Sequence, residues 1–193
     1  MVDDLLMRIK YRVCKFLTYP LNKIRFKKFG NHSSILSPDI LIGTKYICVG
    51  DHVGILQHAR IEAISSYEGK RYNPEILIGS NCGIGRMIHI EASMRVVIGH
   101  DVLMSENIYI SDTSHGFMEI GVNTAVQDLK IEPVEIGDYC FIGRNVCILP
   151  GVKLGKQCIV GANAVVTAGD YPDYSVIVGV PGKIIKNLTL SEE

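Results

Sequence analysis

From Ile136 the chain repeats every six residues without a slip: IGDYCF, IGRNVC, ILPGVK, LGKQCI, VGANAV and VTAGDY. Aliphatic residues stand at 136, 142, 148, 154, 160 and 166, and glycine follows at 137, 143, 155 and 161. The fifth place of each unit is small or branched: Cys140, Val146, Val152, Cys158 and Ala164. A period of six matches neither the 3.6-residue face of a helix nor an alternating hairpin meander. It predicts a prism in which each hexad is one short flat strand and a change of direction, so that three hexads close an 18-residue coil. The first residue fills the axis, the fifth points inward near a corner, and glycine in second place relieves crowding at the turn. Coils then stack through parallel backbone hydrogen bonds, each burying its neighbour's face.

The frame extends upstream. Ile78, Ile84 and Ile90 open hexads, Val96-Val97 adds two residues, and Ile98, Met104 and Ile110 resume the count. A looser version covers residues 42–64. Two segments break it: the polar turn YEGKRYNP (67–74) and GFMEIGVNTAVQDLKIEP (116–133), a loop of the length that functional insertions take. Ahead of the repeats, Leu5, Leu6, Ile9, Val13, Phe16 and Leu17 fall at helical spacing, which predicts an amphipathic helix over 3–18. Residues 1–30 hold eight Lys and Arg against two acids. Such a helix can cap the open end of the prism, pack on a subunit, or make peripheral contact with an anionic membrane surface.

Composition narrows the class. The chain is 47% hydrophobic and 21% charged with a formal net charge of +0, which gives no reason to expect nucleic-acid binding. Trp is absent, so the axis must be filled by small and β-branched side chains. The six cysteines (14, 48, 82, 140, 147, 158) have no CxxC spacing, and three share the inward fifth place. Buried free thiols are expected rather than disulfides. Without a signal-peptide pattern at Met1–Arg12, the expected location is cytoplasmic.

These repeats resemble the hexapeptide-repeat acyltransferases. That resemblance implies an all-β fold, a left-handed parallel β-helix over 35–183 with the loop 116–133 inserted, between a helical segment 1–34 and a tail 184–193. It also implies a homotrimer with active sites between neighbouring prisms.

Among the six histidines, His115 stands apart. His32 precedes the repeats, His52 and His58 sit in weak hexads, and His100 takes an outward third place. The spacing of His52 and His58 (HVGILQH) has no third histidine to complete it, so no metal site is expected. His115 ends its hexad immediately before the long loop. The stretch NIYISDTSHGF (107–117) is similar to the segment carrying the catalytic histidine in sugar O-acetyltransferases of the maltose, galactoside and capsular-polysaccharide type. The chemistry fits. A thioester is already activated, whereas a sugar hydroxyl is a poor nucleophile at neutral pH, and a neutral imidazole takes its proton as attack begins. Asp112 is a candidate to orient the imidazole or is a solvated turn residue. His89 and Glu91, one coil back, are candidate contacts for the acceptor. Stacking further predicts Arg95, His115 and Lys153 at equivalent corners, where nearby cations would keep the base neutral.

The carboxy-terminal half resembles the coenzyme A-binding coils of the same family. Carried over residue by residue, this implicates Gly143, Arg144, Ala162 and Thr167 along a pantetheine groove, and Lys183, in GVPGK, at a coenzyme phosphate. Phe141 stands where relatives often carry Trp and becomes a candidate acceptor contact; Ala168-Gly169 replaces a lysine frequent after Val-Val-Thr. The resulting expectation is acetyl-CoA-dependent O-acetylation of a saccharide in capsule or O-antigen biosynthesis. N-acetylation of an amino sugar and a non-catalytic trimeric scaffold are the alternatives.

Overall fold

The computed structural model describes residues 18–189. Short strands, mostly of two to four residues, form three parallel faces that each run the length of the molecule. The first face has seven strands, from Lys28–Phe29 to Gly169–Tyr171. The second has eight, seven parallel from Ser34–Ile35 to Ser175–Val178 and the eighth, Lys183–Asn187, running antiparallel to Ser175–Val178. The third has six, from Ile40–Ile42 to Val165–Val166. Successive strands pass from first to second to third face and back, which is the predicted prism. Coil pairing starts at Lys28–Phe29, upstream of the looser repeats.

Burial follows the hexads. Ile78, Ile84, Ile90, Ile98, Ile136, Ile142 and Ile148 are all at most 3% exposed. The extra pair at 96–97 does not break register, since Ile98 still pairs with Ile78 on one side and Ile136 on the other. The fifth place also points inward. Cys82, Cys140 and Cys158 stack with Ser33 and Ser175 at the corner between first and second faces, each donating to a carbonyl of the adjoining coil or turn. Cys48, Cys82, Cys140, Cys147 and Cys158 are free thiols, and burial pushes the Cys82 thiol up; Cys14 lies outside the described residues.

The turns themselves are made at the fourth place. Asn81, Met87, Asp101, Asn107, Tyr139, Asn145, Gln157 and Asn163 all have left-handed φ between 51° and 62°. Second-place glycine has another reason. A Cβ on Gly137 would lie 2.5 Å from the carbonyl oxygen of Gly155 in the next coil, so glycine is required by close stacking. At one corner the left-handed asparagines bond side chain to side chain, Asn107 Nδ2 to Asn145 Oδ1 and Asn145 Nδ2 to Asn163 Oδ1, both at 2.9 Å.

Residues 18–25 are helical, running past the predicted end of the amino-terminal helix at 18. The remainder of that prediction lies outside the described residues. Among these residues no helix is long and apolar enough to cross a membrane.

Candidate active site

The three faces place outward side chains of the third face beside the corner where the chain leaves for the long loop. Thr113–Ser114 and Lys130–Ile131 pair antiparallel and carry the loop away from the coil. Gln127 organises its interior, with Nε2 donating to the carbonyls of Glu119 at 3.1 Å and Val122 at 2.9 Å. A second projection, the hairpin of Ser66–Tyr67 and Lys70–Arg71, faces it, and Lys70 bonds Asp128 across the gap. Between the two lies a cleft of about 810 Å³.

His115 lines this cleft and is exposed to it, in a T-shaped contact with the Tyr67 ring whose centroid lies 5.6 Å from its own. The cleft floor is the outer side of the third face: Arg60 and Glu62 from one coil, Glu91 from the next, Tyr109 from the third. Strict alternation selects them, because their neighbours Ile61, Ile90 and Ile110 point to the axis. Leu149 and Thr167 extend the wall toward the carboxy-terminal coils.

Electrostatics on the floor are concentrated at Glu62. Arg60 Nε donates to its carboxylate, which is almost fully buried. His89 Nε2 lies 3.3 Å from Glu62 Oε2 and 3.9 Å from Glu91 Oε2. Burial, and then the positive charge of Arg60, hold His89 below its ordinary value. Burial, and then the charge of Glu62, raise Glu91. The Ser93 hydroxyl, also on the cleft wall, is buried without a partner.

The structure corrects several expectations. Asp112 does not orient His115 and is not a solvated turn residue. It is completely buried, and its carboxylate accepts the amides of Ser93, Met94 and Arg95 and the hydroxyl of Thr113 at 2.6–2.8 Å. Arg95, His115 and Lys153 do not share stacked corners. Arg95 pairs with Glu75 and Lys153 with Glu135 on the first face, while His115 has left the coil. Phe141 lies on the second face between Leu103 and Ile159, outside the cleft. Of the candidate donor contacts, Thr167 lines the cleft with His115, whereas Gly143, Arg144 and Ala162 stand at the opposite edge of the third face. Gly143 packs so closely on Ala162 that a Cβ would meet the Ala162 amide nitrogen at 2.6 Å, and Arg144 pairs with Glu106 at 2.6 Å. Lys183, exposed in the final antiparallel strand, belongs to neither group. Of the candidate acceptor contacts, Glu91 lines the cleft, whereas His89, on the same strand, is not among its lining residues.

Sequence reasoning missed Arg60, Glu62, Tyr67, Ser93 and Tyr109. Arg60, Glu62 and Tyr109 carried a usable signal, their outward parity on strands that stack under His89 and Glu91. Tyr67 carried none, because it comes from the hairpin between coils.

Comparison with known proteins agrees with this architecture. Residues 133–168 match the hexapeptide repeat of succinyl-transferase. The chain is 37% identical over 131 residues to a probable acetyltransferase of Mycobacterium tuberculosis, covering 67% of this chain and 41% of that protein. It is 35% identical over 118 residues to a putative lipopolysaccharide biosynthesis O-acetyl transferase of Escherichia coli, covering 58% of this chain and 60% of that protein. The chain thus spans about half the length of these relatives. An N-acyltransferase from Bacillus cereus, solved with dTDP and 3-hydroxybutyryl-CoA, superposes with a TM-score of 0.71 at 20% identity over 89% of this chain and 88% of that one. Stacked hexads, parallel faces and this likeness make the chain a hexapeptide-repeat protein with the left-handed parallel β-helix fold.

Proposed function

We propose that this chain transfers the acetyl group of acetyl-CoA to a saccharide hydroxyl, with His115 as general base. The observation that carries the reading is the exposure of His115 on a cleft whose floor is polar and whose wall runs into the carboxy-terminal hexads. Imidazole takes the proton of the acceptor hydroxyl as its oxygen attacks the thioester carbonyl. The tetrahedral intermediate then expels the thiolate, which recovers the proton from imidazolium. Tyr67 packs against the ring, and Lys70 of the hairpin bonds Asp128 of the loop beside it. Of the candidate donor contacts, Thr167 alone lines the cleft with His115, and donor binding is assigned to it.

The similarity to a lipopolysaccharide O-acetyl transferase supports a polysaccharide acceptor, in capsule or O-antigen biosynthesis. A cytoplasmic location follows from the donor, and contact of the basic amino-terminal segment with a membrane would bring the enzyme to a lipid-linked acceptor. A homotrimer is supported by Phe117, Met118 and Ile120, large apolar side chains 69%, 81% and 101% exposed on the loop that borders the cleft. The likeness to an N-acyltransferase favours a second reading, acetylation of an amino sugar.

Thiol release from acetyl-CoA, measured over a panel of sugars and amino sugars, tests both. Release with hydroxyl acceptors that falls at least about 10²-fold in His115→Ala supports the first reading. Release with amino sugars alone supports the second, and release with none supports a scaffold.

A further inference from the structure

Four charged residues line the cleft besides His115: Arg60, Glu62, Glu91 and Lys130. Three already have an opposite charge. Arg60 holds Glu62, and Lys130 Nζ lies 3.0 Å from Glu132 Oε1. Glu91 is different. Its one basic partner within 4.0 Å among the described residues is His89 Nε2 at 3.9 Å, and burial disfavours protonation of that ring. Glu91 also sits in register directly on Glu62, so the floor presents two stacked carboxylates against one guanidinium.

A second observation points to a ligand here. Ser93 follows Glu91 by two residues, just past the end of the same strand, is 2% exposed, and borders the cleft, and its buried hydroxyl bonds nothing in the protein. A buried hydroxyl left without a partner has a cost that a ligand group can remove. Tyr67 and Tyr109 add two half-buried rings to the same surface.

We infer that Glu91 is the charge-reading contact of an acceptor subsite that takes an uncharged polyhydroxyl ring and excludes acidic sugars. An ionised carboxylate accepts from adjacent ring hydroxyls, which are donors with no cost in charge. A uronate or other sugar acid would instead bring a second negative charge against Glu91 and Glu62, where repulsion in a partly desolvated cleft is strong. This assignment rests on the acyl-transfer reading only in naming the bound sugar the acceptor.

Binding, measured separately from transfer, tests it. Methyl glucopyranoside and methyl glucopyranosiduronate are titrated by NMR into the full-length protein and into Glu91→Gln, with the unfolding midpoint of the variant as a check on folding. The wild type should bind the neutral glycoside at least about tenfold more tightly, and the gap should close to within about threefold in Glu91→Gln. Equal binding of the two sugars by the wild type, an unchanged gap in the variant, or binding of neither sugar overturns the inference. A neutral preference that depends on Glu91 without thiol release from acetyl-CoA would leave the subsite standing and remove the transferase reading.

Discussion

The carboxylate of Asp112 accepts the backbone amide of Ser93 at 2.8 Å, tying one coil to the next at the corner where the long loop departs. The same carboxylate takes the amides of Met94 and Arg95. Asp112→Ala would leave three backbone donors without their acceptor, and a stability loss of about 3 kcal/mol is expected. Chemical denaturation measures it. His115→Ala, at an exposed position, should leave the unfolding midpoint unchanged, which separates the two roles.

Tyr67 meets His115 ring against ring, in a T-shaped contact. Tyr67→Phe is therefore expected to keep near-normal turnover, whereas Tyr67→Ala should lower kcat about tenfold by freeing the imidazole. Steady-state acetyl transfer on both variants decides this. Equal losses in the two would assign the effect to the hydroxyl.

His89 produces an acid sensitivity. Its folded pKa is held below the ordinary histidine value by burial and by Arg60, so on acidification the unfolded chain takes up a proton before the folded one does. Stability linked to His89 is thus present above the unfolded pKa and is lost as pH falls toward the folded pKa. Glu91, raised above its ordinary value by burial and by Glu62, acts in the opposite sense, gaining stability as pH falls from its folded toward its unfolded pKa. The loss of stability between pH 7.5 and 5.5 should therefore be smaller in His89→Gln than in the wild type, read from unfolding midpoints across that range.

Asn145 combines a left-handed φ of 59° with two side-chain bonds in the asparagine ladder. Asn145→Gly keeps the turn and loses only the ladder, so about 1 kcal/mol of stability should go. Asn145→Ala loses the ladder and also strains the backbone, and should cost about 1 kcal/mol more. Urea denaturation of the pair orders them.

The axis residues were readable because their spacing is local. Ile136, Ile142 and Ile148 point inward for the same reason that Ile78, Ile84 and Ile90 do, a strand of fixed length followed by a corner. His115 was readable from its place at the edge of the repeat. Asp112 was not, because its partners are amides of residues 93–95, reached only when one coil lies on another. The misplacement of Phe141 and of the Arg95–Lys153 stack has a related origin. A count of six tells which residues face inward, and it assigns an outward residue to a face only if every coil closes alike.

Period six by itself determined the stacked prism, its buried aliphatic axis and the small residues at its corners, since these follow from repeated short-range geometry. Only the tertiary structure decided which charges share the cleft beneath His115. Glu62 and Glu91 belong to different coils, and Tyr67 to the hairpin between them; their proximity is a consequence of register between strands far apart in the chain.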